Sequence, residues 1–277
     1  MRIDAHQHFW EYNQMDYSWI DDSMHIIKKD FLPEHLILEL TKEGFEGSIA
    51  VQARQTLQET TWLLDLSNDH DFIKGVVGWV DLKSRNVNSD LLHFSKHSKF
   101  IGVRHVVHDE DDDAFMLNKD FLKGISYLRE FNLTYDFLLF PKHLPVAYQV
   151  AKMFPDQRFV LDHISKPLIK QQIFEPWEQD IKKLAGLPNV YCKLSGMVTE
   201  ADWVNWQAKE IIPYLDVIMS AFGTDRVMIG SDWPVCLIAG SYLKVMSVVI
   251  EYINTFSTSE QNLILGNNCK RFYLLRD

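Results

Sequence analysis

Met1-Arg2-Ile3-Asp4-Ala5-His6-Gln7-His8-Phe9-Trp10 is the stretch on which the reading of the fold turns. Arg2–Ala5 reads as a short strand. Side chains two apart on a strand leave the same face, so His6 and His8 project together from its C-terminal end. Two imidazoles about 6–7 Å apart along a strand can converge on one metal ion, or on one oxyanion and its water. A lone histidine there would read as a polar strand end; the His-x-His pair reads as a site.

Working outward, seven more apolar, β-branched runs follow: Gly47–Gln52, Lys74–Val80, Phe100–Val106, Leu133–Leu138, Arg158–Asp162, Asn189–Leu194 and Arg226–Gly230. Runs such as Ser48-Ile49-Ala50-Val51 are nearly continuous in apolar character, which suits a parallel sheet covered by helices. Helical patterns lie between them. Pro33 fits a first turn, with Leu36, Ile37 and Leu40 as the apolar face and Gly44 as the stop. Thr56 with Glu59, and Ser257 with Glu260, read as capping boxes. Leu243, Met246, Val249, Ile250 and Ile253 form a helical stripe, Gly266 reads as a helix stop, and a last helix is expected over Asn268–Leu274. Alternation of eight strands with helices predicts a single-domain (β/α)8 barrel, an α/β TIM barrel, over residues 1–277. An open doubly wound sheet is the alternative, but no G-x-G-x-x-G or G-x-x-x-x-G-K-[ST] follows any strand. Glu11–Asp30 forms a long first βα loop, whose Tyr12, Tyr17, Trp19 and His25 either wall the pocket or pack the loop on the scaffold. Asp109–Asp113 reads as a solvated acidic loop.

Composition narrows the function. The chain is 47% hydrophobic and 24% charged, ordinary for a globular protein, and its net charge of −10 comes without a basic block. Nucleic acid is not an expected partner. Cys192, Cys236 and Cys269 are odd in number and contain no C-x-x-C, which argues against a disulfide scaffold or a thiolate zinc site. No apolar leader and no run of about 18 apolar residues occurs, so a soluble, cytoplasmic protein without a membrane partner is expected. Aromatic side chains hint at a homo-oligomer.

Barrel enzymes carry their chemistry at the C-terminal strand ends. Those positions hold His6 and His8, Gln52 and Arg54, Trp79 and Asp81, Arg104, His105 and His108, Tyr135 and Asp136, Asp162, His163 and Lys166, Lys193 and Ser195, and Ser231, Asp232 and Trp233. Strands 1 and 8 are neighbours in a closed barrel, which sets Asp232 beside His6 and His8. A carboxylate there can complete a metal shell or deprotonate a water; a helix N-cap is its structural alternative. His163 can point into the same cluster. Arg104 and Lys193 can polarise a carbonyl or clamp a carboxylate or polyol, or else pair with Asp136, Asp162 or Asp81. Gln52, Trp79 and Trp233 are candidates for shaping the substrate pocket.

Asp4-Ala5-His6-Gln7-His8-Phe9-Trp10, Gly102-Val103-Arg104-His105, Leu161-Asp162-His163, Lys193-Leu194-Ser195-Gly196 and Gly230-Ser231-Asp232-Trp233-Pro234 together resemble the amidohydrolase superfamily. More narrowly, they resemble its branch of sugar and dicarboxylate lactonases, the L-fuconolactonase and L-rhamnonolactonase type. Asn267-Asn268-Cys269-Lys270-Arg271-Phe272-Tyr273 is similar to that branch's closing helix. The resemblance implies a hydrolase opening a small sugar lactone, with Asp232 as general base on water and His6, His8 and His163 around it. It implies at most one divalent metal ion such as zinc, held by His6, His8 and Asp232, and not required in every relative. Arg104 stands where a bridging lysine or glutamate would serve a two-metal site, and strand 5 offers Tyr135 and Asp136 rather than a histidine. A lactone suits such a site better than an unactivated amide, which usually needs a strongly acidified metal water. Two other readings remain on the same residues: a metal-dependent decarboxylase of an aromatic or unsaturated acid, and a non-catalytic sugar-acid binding protein.

Overall fold

In the computed structural model, which describes residues 1–276, eight parallel strands pair in sequence order. They are β1 (Ile3–Gln7), β2 (Gly47–Val51), β3 (Ile73–Gly78), β4 (Phe100–Val106), β5 (Thr134–Leu138), β6 (Phe159–Leu161), β7 (Val190–Leu194) and β8 (Val227–Ile229). Seven helices separate them: α1 (Pro33–Lys42), α2 (Leu57–Asp69), α3 (Val87–Phe94), α4 (Lys119–Leu128), α5 (Leu144–Met153), α6 (Trp177–Ala185) and α7 (Ala208–Phe222). After β8 come α8 (Tyr242–Ile253), α9 (Thr258–Asn262) and α10 (Asn268–Tyr273). This is the expected (β/α)8 barrel. Among the described residues no helix is long and apolar enough to cross a membrane.

The barrel closes where β1 meets the segment after β8. Gln7 bridges Trp233 in parallel, His8 N donates to Trp233 O (2.7 Å), and Asp232 N donates to His6 O (2.8 Å). Asp4 stitches the same seam. Its carboxylate accepts Ser231 N (2.9 Å), Ser231 Oγ (2.6 Å) and Tyr242 OH (3.1 Å). Burial lifts its pKa to about 6 even so. The Asp-Ala-His-Gln-His and Gly-Ser-Asp-Trp-Pro motifs are therefore partners in one join. A one-residue bulge in β1, between Asp4 and Gln7 against β2, includes His6 itself.

Two apolar clusters hold the fold. The larger lies between the strands and the surrounding helices. The smaller gathers Ile3, Ala5, Ile49, Val51, Val77, Ile101, Val160 and Met228 with Cys269, Phe272 and Tyr273. Residues from six strands can meet in one cluster only inside the barrel, so α10 plugs the end opposite the histidines. All three cysteines are free and buried.

Several local expectations hold and others need correction. Pro33 starts α1, and Gly44 (φ +71°) follows its last turn. Ser257 and Glu260 form the expected capping box. At Thr56 only half of the box forms: its hydroxyl accepts Glu59 N (3.1 Å), but the Glu59 carboxylate reaches past it to Ala53 N and Arg54 N (2.8 Å to the latter). Those two amides leave the end of β2 and have no strand partner, so they win the carboxylate. Gly266 is not a simple helix stop. It lies in a π-helical turn over Leu263–Asn267, and a Cβ there would stand 2.2 Å from Met1 O, so its role is close approach to β1.

Candidate active site

The C-terminal ends of the strands open into a cavity of about 620 Å³, an ordinary size for a small-molecule site. His8, Arg104, His163 and Asp232 line its floor, and His6 lies directly behind them without solvent exposure. Asp232 Oδ1 is the point of convergence. It lies 3.3 Å from His8 Nε2, 3.8 Å from His163 Nε2 and 3.9 Å from His6 Nε2, while the Nε2 atoms of His6 and His8 are 3.2 Å apart. The expected grouping of His6, His8, His163 and Asp232 is thus present.

The backbone around these groups is unusual. Asp232 has φ +58°, and His163, Ile164, Ser165 and Lys166 form a run of four left-handed residues (φ 53°, 47°, 62° and 49°). L-residues visit this region singly and at a cost, so a run of four must be held from outside. Trp177 Nε1 donates to Ile164 O (2.8 Å), Lys166 Nζ pairs with Glu200 (2.8 Å), and His163 Nδ1 lies 2.9 Å from Ser195 Oγ. Gly196 (φ +60°) makes room for the result: a Cβ there would meet His163 Nδ1 at 2.4 Å and Asp232 Oδ2 at 3.0 Å. The apolar run ending in Asp162-His163 marks the strand end, but nothing in it signals a left-handed turn.

Electrostatics set the protonation states. His8 Nδ1 lies 2.8 Å from Val51 O, a contact that fixes the ring so that Nε2 faces Asp232. Burial drives the His6 and His163 imidazoles well below the usual histidine range, so both are neutral. Burial would raise the Asp232 carboxyl, but His163 and His8 outweigh it and the net shift is downward, keeping Asp232 ionised. Three rings and an ionised carboxylate therefore crowd one another, an arrangement that calls for positive charge. Arg104 supplies some of it, with Nη1 3.2 Å from His6 Nε2 and 3.2 Å from Asp162 Oδ2. The donors also fit one divalent ion. Zinc–nitrogen bonds of about 2.0–2.1 Å in a tetrahedron set ligand spacings on the order of 3.3 Å, and His6, His8 and Asp232 stand at 3.2, 3.3 and 3.9 Å.

Behind the floor lies a sealed ionic cluster. Lys193 Nζ is 2.5 Å from Asp136 Oδ2, 3.0 Å from Asp162 Oδ1 and 3.2 Å from His6 Nδ1. Against the effect of burial, Lys193, then the His6 ring beside it and Arg104 hold Asp162 well below the usual carboxylate range. Asp136, more weakly compensated, is pushed up to about 6 by burial.

The structure places four of the candidate pocket residues away from the cavity wall, Lys193 in the ion pairs that were its alternative reading. Lys193, Gln52, Trp79 and Trp233 do not line the cavity. Lys193 is fully buried, because two carboxylates hold its ammonium inside the barrel. Gln52 accepts Arg104 Nη2 on its carbonyl and donates to Arg104 O (3.3 Å), so it fixes Arg104. Trp79 donates to His105 Nδ1 (3.3 Å), and Trp233 packs against Phe31 and Phe9 (5.1 and 6.2 Å).

The cavity wall comes instead from loops. Met15, Trp19 and Met24 of the first loop, with Phe140, Trp203 and Ile238, supply apolar surface; Arg54, His108, Lys166 and Glu200 supply polar groups. The two readings of the first loop are both met, in different residues. Trp19 reaches the cavity, while Tyr17 packs on Trp10 (5.7 Å), Tyr12 stacks on Tyr17 (6.3 Å) and His25 faces solvent. Paired hydrogen bonds between Trp10 and Phe31 (2.9 Å each) pin the loop's base, and Arg54 Nη2 to Asp16 (2.8 Å) ties its tip to the loop after β2. The acidic segment after β4 is partly engaged: Asp109 lines the cavity, Glu110 accepts His105 (2.7 Å) and Asp113 pairs with Lys142 (2.6 Å).

Comparison with known proteins agrees with this arrangement. The amidohydrolase family model matches residues 3–275. An L-fucono-1,5-lactonase of Burkholderia multivorans is 38% identical over 99% of this chain and 96% of its own length. A second, from Burkholderia ambifaria, is 36% identical over 87% of this chain and 83% of its own. A crystal structure of a Burkholderia multivorans amidohydrolase with bound zinc superposes with a TM-score of 0.97 at 38% identity, covering all of both chains.

Proposed function

The chain belongs to the amidohydrolase family, and from that premise we propose that it opens the ring of a sugar lactone, with Asp232 as the base on water and L-fucono-1,5-lactone as the leading substrate. It is a hydrolase of cyclic esters. The observation that carries the reading is the convergence of three imidazoles on an ionised Asp232 at the floor of a cavity with a cation, Arg104, beside them. The similarity to the two Burkholderia lactonases supports the substrate class. The apolar wall of Met15, Trp19 and Phe140 suits the methyl group of a deoxysugar, and Arg54, Lys166 and Glu200 suit its hydroxyls.

The residues divide the chemistry as follows. His8 and His163 orient a water against Asp232. Asp232 takes one proton as the water oxygen bonds to the lactone carbonyl carbon. Arg104 donates to the carbonyl oxygen as negative charge develops there. The ring C–O bond then breaks, and the proton on Asp232 passes to the departing ring oxygen, leaving a hydroxy acid that ionises. A positioned base contributes about 10²–10⁴-fold and an oxyanion donor about 10²–10³-fold, enough for an activated ester. His6, His8 and Asp232 would hold a single zinc ion, which when bound supplies Lewis acidity and lowers the pKa of water.

A pH-indicator assay on a panel of 1,4- and 1,5-aldonolactones, with and without prior chelation, tests the reading. The wild-type protein is expected to open a deoxysugar or hexose lactone. Asp232→Asn is expected to lose about 10²–10⁴-fold in kcat with unchanged thermal melting. A near-native rate in that variant would remove Asp232 from the role of base, and silence of the wild type across the panel would overturn the lactonase reading. Loss on chelation with recovery on adding zinc would establish His6, His8 and Asp232 as working metal ligands.

A further inference from the structure

Tyr273 lies on α10, the plug at the end of the barrel opposite the cavity, yet it is joined to the active site by an unbroken line of polar contacts. Its hydroxyl donates to Asp136 Oδ2 (2.7 Å). The same oxygen accepts Lys193 Nζ (2.5 Å), and Lys193 Nζ lies 3.2 Å from His6 Nδ1. The Nε2 of that ring faces His8 and Asp232. Tyr273 is 2% exposed, and Asp136, Lys193 and His6 have no exposure, so no water competes for these bonds. The Lys193 ammonium also lies 5.6 Å from the centre of the Tyr273 ring.

We propose that Tyr273 is a positioning residue for the reaction, acting through Asp136 and Lys193 to fix the ring of His6 behind the reacting groups. This rests on the assignment of catalysis to the His6–His8–Asp232 cluster. The physical reason lies in how Lys193 is shared. Its ammonium divides itself among Asp136, Asp162 and His6. The Tyr273 hydroxyl occupies part of Asp136 Oδ2 and weakens that oxygen's hold, leaving Lys193 within reach of Asp162 and His6. Without the hydroxyl, Asp136 draws Lys193 toward the plug and away from Asp162 Oδ1 (3.0 Å), the oxygen that faces His6 Nδ1 at 3.3 Å, so the ring loses its fixed partner at Nδ1 while Arg104 stays at Nε2. Burying an ammonium between two carboxylates is a poor way to gain stability, since apolar packing does as well or better. An orienting role gives the cluster a reason to be there.

Tyr273→Phe removes one oxygen and keeps the packing. The expected result is a kcat lower by about 10-fold, the low end of the range seen when a direct hydrogen-bond partner of a site histidine is removed, because Tyr273 stands beyond that partner, with KM within about twofold, as for an interaction that serves only the transition state. Phe272→Leu is the control: its ring packs on Tyr191 and on the edge of Tyr273 (4.8 Å each) but makes no polar contact with the line, so it loosens the same plug with every hydrogen bond kept, and should lower the melting temperature while kcat stays unchanged. In protein labelled with ¹⁵N-histidine, the His6 ring signals, assigned with His6→Gln, should move in Tyr273→Phe and not in Phe272→Leu. Asp136→Asn, read the same way, breaks the next link and decides the matter if Tyr273→Phe does not fold. An unchanged kcat in Tyr273→Phe, or a loss shared by Phe272→Leu with His6 signals unmoved, would overturn the proposal. Failure of the lactonase reading itself would appear separately, as a wild-type protein silent on lactones, and would leave the His6 signals as the test.

Discussion

Just behind the floor of the cavity His6, Asp136, Asp162 and Lys193 have no solvent exposure and hold one another at 2.5–3.3 Å, while at the mouth Met15 is 91% exposed and Trp19 39%. Floor residues come from strand ends, fixed by the hydrogen bonds of the sheet. Mouth residues come from loops, held by a few contacts such as Arg54–Asp16 and Lys166–Glu200. The difference teaches where each property resides. Reaction chemistry needs groups placed to within a fraction of an ångström, which strands and sealed ion pairs provide. Discrimination between lactones needs a surface that can vary without disturbing that placement, and loops provide it.

The sharpest way to break the comparison is Lys193→Met. It keeps the volume and leaves Asp136 and Asp162 buried beside one another with only Arg104 as a cation. Removing one partner of a buried pair costs about 3–5 kcal/mol, so a large drop in the urea midpoint is expected, and loss of activity with it. An unchanged midpoint would mean that the cluster is not the closed ionic unit described.

At the mouth, Trp19→Ala should act in the opposite sense. The expected outcome is a KM rise of about tenfold for the preferred lactone, equivalent to about 1.4 kcal/mol of binding, with kcat and the urea midpoint little changed. A loss confined to kcat would place Trp19 with the floor instead.

The smallest effect tests the join between the two regions. Glu59 holds the amides of Ala53 and Arg54 and so anchors the loop after β2. Burial raises its pKa from 4.5 to about 7. A folded pKa above the unfolded one means that its contribution to stability is full below pH 4.5 and is lost as pH rises through about 7. Glu59→Gln should flatten the decline of the urea midpoint across that window. The same slope in variant and wild type would show that Glu59 does not titrate there.

How much of this was legible beforehand varied with the kind of interaction. The His-x-His pair could be placed because two residues on one strand end share a face whatever surrounds them. Asp232 could be set beside it because β1 and β8 must meet in a closed barrel. The first loop yielded only alternatives, since whether Trp19 or Tyr17 turns inward depends on what Trp10 and Phe31 leave free. Lys193 was equally ambiguous. A lysine at a strand end suits a substrate or an ion pair, and only Asp136 on β5 and Asp162 just past β6 settle it as an ion pair.

By itself the sequence determined the barrel, its closing pair of motifs and the end at which polar side chains gather, because periodicity, strand order and motif position are properties of the chain read in one dimension. Tertiary structure alone decided the left-handed turn that aims His163, the sealed charge cluster behind His6, the reach of Tyr273 from the far end of the barrel, and which loop residues wall the cavity. Each of these depends on groups far apart in sequence meeting at hydrogen-bond distance in a place from which water is excluded. Neither the distance nor the exclusion is written in any one stretch of residues.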